Sequence, residues 1–417
     1  MTLKLKNSLG GALEDFLSLE PRKVRMYHCG PTVNQPIHIG KFRSYLLADV
    51  LRRHLERSGY EVLQVMNLTD VGHLNEFEED VVEIAAGRAG GYAWELAENE
   101  MRLFHADRRA LGIRGAHEYP KAREHVEEMI ETIRLLEEAG ATYVEGGNLY
   151  LDITRYENLG CLCGSTPAEI AELQDGSKTT EGAQKRNPLD IDLWRTDELH
   201  QMRWESPWGS GFPGWHVECV AMSRKYLGEH FDIHTGADDN LNPHHEFEMA
   251  QAAVLAGEGD EREPLAHYWL HSGSVSVEGQ AMSKSNGNIV PVRELLESGI
   301  RGKVVRVALL SEHYRDNLDF GEAALDKASE AVNVILGFRD HLSSQVSDDT
   351  PDPEASVAGW ITDTDTSFTA ALDEDLDYWK AISIVVKALS SLEADTVGSP
   401  AQALDALGDW DRVLGIL

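Results

Sequence analysis

Residues 24–29, VRMYHC, form a short apolar run of the length and β-branched character of a buried strand. The Gly- and Pro-bearing stretch GPTVNQPIHIG follows, and KFRSYLLADVLRRHLERSG then repeats apolar residues at helical spacing. YEVLQVMNLTD reads as a second strand that ends in polar residues. Strand, loop, helix and strand make a βαβ unit, so a parallel sheet with a right-handed crossover is expected. Ligands of such sheets bind beyond the carboxyl ends of the strands, where Gly30, His38 and Asp70 fall.

Residues 79–140 carry mostly helical patterns, including EEMIETIRLLEEAG. ATYVEGGNLYLDI reads as a hairpin with Gly146 and Gly147 at its turn. Residues 155–188 are polar and read as a loop-like insertion. The parallel-sheet pattern returns with HFDIHTG. A helix within NPHHEFEMAQAAVLAG follows, opened by Pro243 and closed by Gly257, and then HYWLHSGSVSVEGQAMSKSNGN. After Asp319 helical patterns dominate to Leu417, broken by SSQVSDDTPDPEAS. The pattern predicts an α/β protein: a Rossmann-like parallel-sheet catalytic domain over 1–320, with an inserted region at about 115–200, followed by a helical bundle over 321–417.

Charge changes this picture more than composition does. The 417 residues hold 71 acidic against 38 basic side chains, a net charge of -33. Such self-repulsion is eased by salt, which points to a saline cytoplasm, and it leaves a polyanion only locally basic patches to bind. Residues 321–417 alone hold 19 acidic and 5 basic side chains. No run of 18 apolar residues appears, and MTLKLKNSLG lacks the apolar stretch of a secretory signal, so a cytoplasmic location is expected. Four cysteines, Cys29, Cys161, Cys163 and Cys219, are too few to staple a chain of this length and read as free thiols.

Three stretches carry candidate chemistry. In NPHHEFE, His244 and Glu248 stand four apart and share a helix face, so both can reach one ion; a capped, acidic first turn would produce the same pattern. The order H-H-E-F-E lacks the two histidines four apart of the hydrolytic zinc motif. GPTVNQPIHIG offers backbone amides and a following helix start to an anion, with His38 just before the helix, but it is not a P-loop and lacks the dinucleotide glycine pattern. In AMSKSNGN, Lys284 stands among small polar residues in a loop able to close on a phosphate. Cys161 and Cys163 flank one residue, too tight for the usual zinc knuckle, and read as structural.

Taken in order, YHCGPTVNQPIHIGKFRS, MNLTDVGHL, KRNPLDIDLWR, PGWHVECVAMS, FDIHTGADDNLNPHHEFE, YWLHSGSVSVEGQAMSKSNGN and LLSEHYRDNLDF resemble the cysteinyl-tRNA synthetases, a family of class I aminoacyl-tRNA synthetases. The likeness covers residues 20–320 tightly and the helical tail loosely. It implies cysteine activation by ATP and transfer to tRNA-Cys, with the inserted region binding the acceptor; a monomer is expected. It also implies one zinc ion per chain, held by Cys29, Cys219, His244 and Glu248, with Cys29 ending a strand and Cys219 beginning a helix. All four are proper zinc ligands, and a soft metal separates cysteine from near-isosteric serine better than packing can. Thr69 and Trp215 would line the amino-acid pocket. Gly30, Thr32, Gly40, Gly236, Asp239, Met282 and Lys284 would bind cofactor, with magnesium accompanying ATP. His38 and Lys284 would stabilise the transferring phosphoryl oxygens.

Several positions depart from the family pattern. The first signature ends in Lys41, where the family has histidine or asparagine, and the second begins with Ala281, where lysine is usual. Lys41 is therefore expected to supply the phosphates with the cation that position 281 lacks. The family's GGG before its aspartate reads TGA, and HHENE reads HHEFE. Family members continue past the helices into an anticodon-recognition region, whereas this sequence ends at WDRVLGIL. Shortened relatives of the class join cysteine to the amine of a glucosamine-inositol, which makes a small-amine ligase the alternative activity. A non-catalytic binding protein on the same fold is a third reading.

Overall fold

The computed structural model describes residues 2–75, 79–175, 185–257, 263–283, 286–345, 358–392 and 399–417. Its central sheet has four strands in the order Ala266–Ser272, Phe231–Ala237, Lys23–His28, Glu61–Met66, all parallel. Lys23–His28 and Glu61–Met66 are joined by the helix Ile39–Arg57, the crossover expected from the apolar spacing. Phe42, Tyr45, Leu46 and Val50 of that helix enter the core over the sheet. Phe231–Ala237 is buried along its whole length, as a strand covered on both faces must be.

Thr142–Glu145, Asn148–Leu151, Ile191–Thr196 and Gly211–Pro213 form a separate antiparallel sheet, with Gly146 and Gly147 at the first turn; its last strand lies beyond the bound of about 200 expected for an insertion. The reading of 155–188 as loop fails for part of its length: Pro167–Asp175 is a helix. The Thr166 hydroxyl accepts from the Glu169 amide while the Glu169 carboxylate accepts from the Thr166 amide, a reciprocal cap with proline in the first turn. Residues 176–184 of that stretch lie outside the described residues.

The helix expected from Asn242 begins later. Glu246–Ala256 is regular, but Leu241–His245 is a distorted turn in which Asn242 is extended, at φ -134 and ψ 121. Pro243 is the cause, because a residue preceding proline is pushed out of helical geometry. Gly257 ends the helix at φ 80, as read from sequence. Beyond the sheet, Glu322–Gln345, Gly359–Asp373, Tyr378–Ser390 and Pro400–Leu414 pack together as a helical bundle. Most of the expected break at 343–356 lies outside the described residues. Among the described residues no helix is long and apolar enough to cross a membrane.

A buried polar knot ties these last helices to the crossover helix. Asp49 is fully paired: Arg306 Nη2 at 2.7 Å, Arg53 Nε at 2.8 Å and the Arg114 amide at 2.9 Å. Arg306, wholly buried, also donates Nε to the Leu414 carbonyl at 2.7 Å, and Arg53 donates to the Arg412 carbonyl at 3.1 Å. Removing one member strands the others in low dielectric. Arg306→Met is therefore expected to lower unfolding free energy by about 3–5 kcal/mol. Urea unfolding at constant salt measures this, and a loss below about 1 kcal/mol would place the knot in the class of weak surface pairs.

Candidate functional site

The parallel register fixes where the chemistry gathers. Met26, Tyr27 and His28 run beside Ile233, His234 and Thr235, so Cys29 leaves the sheet next to the segment leading to the Glu246–Ala256 helix. Gly30 then passes so close to Asn67 that a Cβ would lie 1.7 Å from the Asn67 carbonyl oxygen, a path open only to glycine. The Gly30 amide donates to Asn67 Oδ1 at 2.8 Å, and Asn67 donates in turn to the Thr69 hydroxyl at 3.0 Å.

Cys29, Cys219, His244 and Glu248 are all buried, and their donor atoms lie within 4.8 Å of one another. The two sulfurs are 3.8 Å apart, the separation of about 3.8 Å expected for sulfurs each 2.3 Å from a tetrahedral zinc. Cys29 Sγ lies 3.5 Å from Glu248 Oε1, Cys219 Sγ 3.6 Å from His244 Nε2, and His244 Nε2 2.8 Å from Glu248 Oε1. Cys219 lies in the second turn of Trp215–Leu227 rather than at its start, because the helix already begins after Gly214. His216 Nδ1 is 3.0 Å from His244 Nδ1, which leaves His244 Nε2 for the cluster.

A second layer surrounds these donors. His234 Nε2 meets the other Glu248 oxygen at 2.7 Å, and His245 Nε2 lies 3.2 Å from Cys29 Sγ. His245 Nδ1 continues to His271 Nε2 at 2.7 Å, and His271 Nδ1 to the Ser8 hydroxyl at 2.8 Å. His234, His245, Cys29 and Glu248 are also close enough to form a donor set, but with one thiol instead of two. A Cβ on Gly236 would strike the His245 ring at 2.5 Å, so glycine there keeps this layer in place. Glu246 points the opposite way. Its buried carboxylate accepts the amides of Gly160, Leu162 and Cys163, tying the inserted loop to the helix start and giving the Cys161–Cys163 turn a structural task.

One cavity of about 630 Å³ opens against this cluster. Cys29 and His244 line it together with Gly30, Thr32, His38, Lys41, Thr69, Trp215 and Asp239. Sequence reasoning missed His73, which also lines the cavity, since nothing in MNLTDVGHL marks it as facing a ligand. Asp70, placed at a strand end, faces away: its carboxylate takes the Arg123 amide at 2.9 Å and lies 3.3 Å from Arg123 Nε. Burial nonetheless raises its pKa to about 6.

The two signature loops are stitched side by side. His38 bridges Pro291, the Ile39 amide donates to the Val290 carbonyl at 2.9 Å, and the Val292 amide donates to the Ile37 carbonyl at 3.1 Å. Gly40 lies under Met282, whose Cε would be 3.0 Å from an added Cβ. Lys284 lies outside the described residues. Lys41 Nζ meets both oxygens of Asp239 at 2.8 Å, linking the first loop to TGADD. Desolvation works against Asp239 ionising, but Lys41 prevails and holds its carboxyl below the usual range.

Among solved structures, the fold is similar to that of Mycobacterium tuberculosis methionyl-tRNA synthetase in complex with methionyl-adenylate. The TM-score is 0.62 at 15% identity, over 94% of this chain and 89% of that one. The fold is thus that of a class I aminoacyl-tRNA synthetase. A family model described as tRNA synthetases class I (C) catalytic domain matches residues 15–330. Proteins named cysteine--tRNA ligase are similar along most of the chain. That of Thermococcus gammatolerans is 37% identical over 94% of this chain and 80% of its own length. That of Carboxydothermus hydrogenoformans is 38% identical over 99% and 87%, and that of Pyrococcus horikoshii is 42% identical over 79% and 66%. The chain belongs to the class I cysteinyl-tRNA synthetase family.

Burial, and then the charge of Lys41, depress the pKa of His38 to about 4. An unfolded histidine takes its proton near pH 6.5. Between these values the unfolded chain binds more protons than the folded one, so the contribution of His38 to stability is present above about pH 6.5 and is lost as pH falls towards 4. His38→Gln is expected to flatten the fall of the urea midpoint between about pH 6.5 and 4. An unchanged slope would show that His38 titrates alike in both states.

Proposed function

We propose that this chain activates cysteine with ATP and transfers the cysteinyl group to tRNA-Cys. The observation that carries this reading is the two-thiol donor set of Cys29, Cys219, His244 and Glu248 at the wall of the cavity that His38 and Lys41 also line. These four residues fit a zinc ion by chemistry and by the 3.8 Å sulfur separation. Zinc held there would supply a soft Lewis acid that favours a thiolate over a hydroxyl.

The chain's own groups have distinct tasks in this reading. Thr69 and Trp215 hold the amino acid so that its carboxylate oxygen approaches the α-phosphorus of ATP, whose bond to pyrophosphate breaks. His38 is neutral at physiological pH, so it serves the phosphoryl oxygens by hydrogen bonding rather than by charge. Lys41 and Lys284 are the cations for the triphosphate, with magnesium accompanying it. Gly30, Thr32, Gly40, Gly236, Asp239 and Met282 shape the nucleotide edge. A terminal hydroxyl of tRNA then attacks the adenylate carbonyl, and AMP leaves. In this reading the catalytic domain spans 1–320, its insertion at about 115–200 receives the acceptor end, 321–417 forms a second domain, and the protein works in the cytoplasm.

The pure protein should carry about one zinc, as in a closed four-ligand site. Cys219→Ser should lose most of it and lower cysteine affinity more than ATP affinity. Stoichiometric zinc in a Cys29→Ser, Cys219→Ser double variant would refute this ligand set.

Cysteine-dependent pyrophosphate exchange, followed by transfer assays with tRNA-Cys and with glucosamine-inositol amines at several salt concentrations, tests the whole reaction. Exchange with transfer to RNA is expected. Exchange with transfer to the amine alone would replace tRNA by a small acceptor, and no exchange at all would favour a binding protein.

A further inference from the structure

We propose that His73 is a specificity-determining residue of the amino-acid pocket, setting its width by holding the Trp215 indole from one face. This rests on cysteine being the substrate. The Trp215 ring is sandwiched: His73 stacks on it at 4.1 Å with planes 5° apart, and His244 stacks at 4.1 Å with planes 27° apart. His73 is itself anchored, with Nδ1 2.7 Å from the Thr32 hydroxyl, and Thr32 is bridged to Thr69 on the neighbouring segment. His73, Thr32, Trp215 and His244 all line the same cavity.

The chemistry explains why this stack bears on selection. Soft-metal ligation rewards any thiol, so it separates cysteine from serine but not from a thiol one methylene longer. That second discrimination must come from the space left for the side chain. An indole clamped between two rings has one plane and leaves one clearance beside His244. With a single stacked face it can tilt into the space His73 vacates, and the clearance grows. The stacked rings act on the amino acid, while Gly40 and Asp239 of the nucleotide edge make no part of the stack.

The test uses the full zinc-loaded chain and compares His73→Ala, His73→Phe and Thr32→Val in pyrophosphate exchange with cysteine and with homocysteine, zinc being measured in each. His73→Ala should raise the KM for cysteine about threefold to tenfold, the scale of one lost aromatic stack, with the KM for ATP and the zinc content unchanged. It should also raise homocysteine activation relative to cysteine by about tenfold, the lower bound for one methylene. His73→Phe keeps a stacking ring and should restore both values. Thr32→Val, which removes the hydroxyl that anchors His73, should shift the cysteine KM and the homocysteine selectivity in the same direction by less, with the KM for ATP read separately because Thr32 also borders the nucleotide edge. An unchanged cysteine KM and unchanged homocysteine selectivity in His73→Ala overturn the proposal, as does a fall in kcat alone that phenylalanine does not rescue. If the wild-type chain shows no cysteine-dependent exchange, the activity reading fails and the proposal falls with it; an active wild type with an indifferent variant fails the proposal alone.

Discussion

Glu248 is the constraint around which the site is arranged. A carboxylate with no solvent exposure costs several kcal/mol unless both oxygens are paired. The chain meets this cost with residues from two segments: His244, four positions earlier in the same chain stretch, and His234 on the adjoining parallel strand. His234 is stacked on Trp269 of the next strand at 4.5 Å, so the sheet itself fixes one oxygen of Glu248. The other oxygen is then aimed at Cys29 and His244. The order of strands in the sheet thereby determines how the four donors converge.

Against a net charge of -33, several arginines are paired with carboxylates of other elements. Arg57 pairs with Asp365 and Asp409, Arg306 and Arg53 with Asp49, and Arg123 with Asp70 and Glu98. These four arginines join elements rather than presenting a basic surface. An RNA acceptor attracted mainly through phosphates would be held weakly by such a chain, since that attraction scales with the number of phosphates neutralised.

Local signals in the sequence were legible where neighbouring residues decide the outcome. The βαβ unit, the hairpin at Gly146–Gly147 and the end at Gly257 all follow from spacing and turn chemistry. The helix Pro167–Asp175 was legible too, since TPAE is a cap with proline at the first position, but a polar surrounding hid it. The start of the Glu246–Ala256 helix is not legible from Pro243 alone, because a proline that suits a first helical turn also pushes the preceding Asn242 out of helical geometry. Pairing Cys29 with Cys219 needed the family resemblance, since 190 residues separate them and no spacing rule spans that distance. His73, His216 and Glu246 acquire their contacts only through tertiary packing, so no local pattern could assign them.

The same distinction bears on Lys41. Read in sequence, it is a lysine gained beside the nucleotide loop; in the fold it is already bonded to both oxygens of Asp239. That pairing does not disqualify it from meeting a phosphate. Although its neighbours partly desolvate it, the Asp239 side chain keeps 68% of its surface exposed, and an ion pair exposed to that extent is worth at most about 1 kcal/mol. Exchanging one carboxylate for a triphosphate oxygen therefore requires little. What the pair supplies in the meantime is direction. A free lysine would sample many rotamers, whereas this one is held at the cavity wall between the first signature loop and the TGADD segment. Under the proposed role of Lys41, a weak bond between the loops suits the task better than a strong one, because the cation would be both oriented before the nucleotide arrives and released to it.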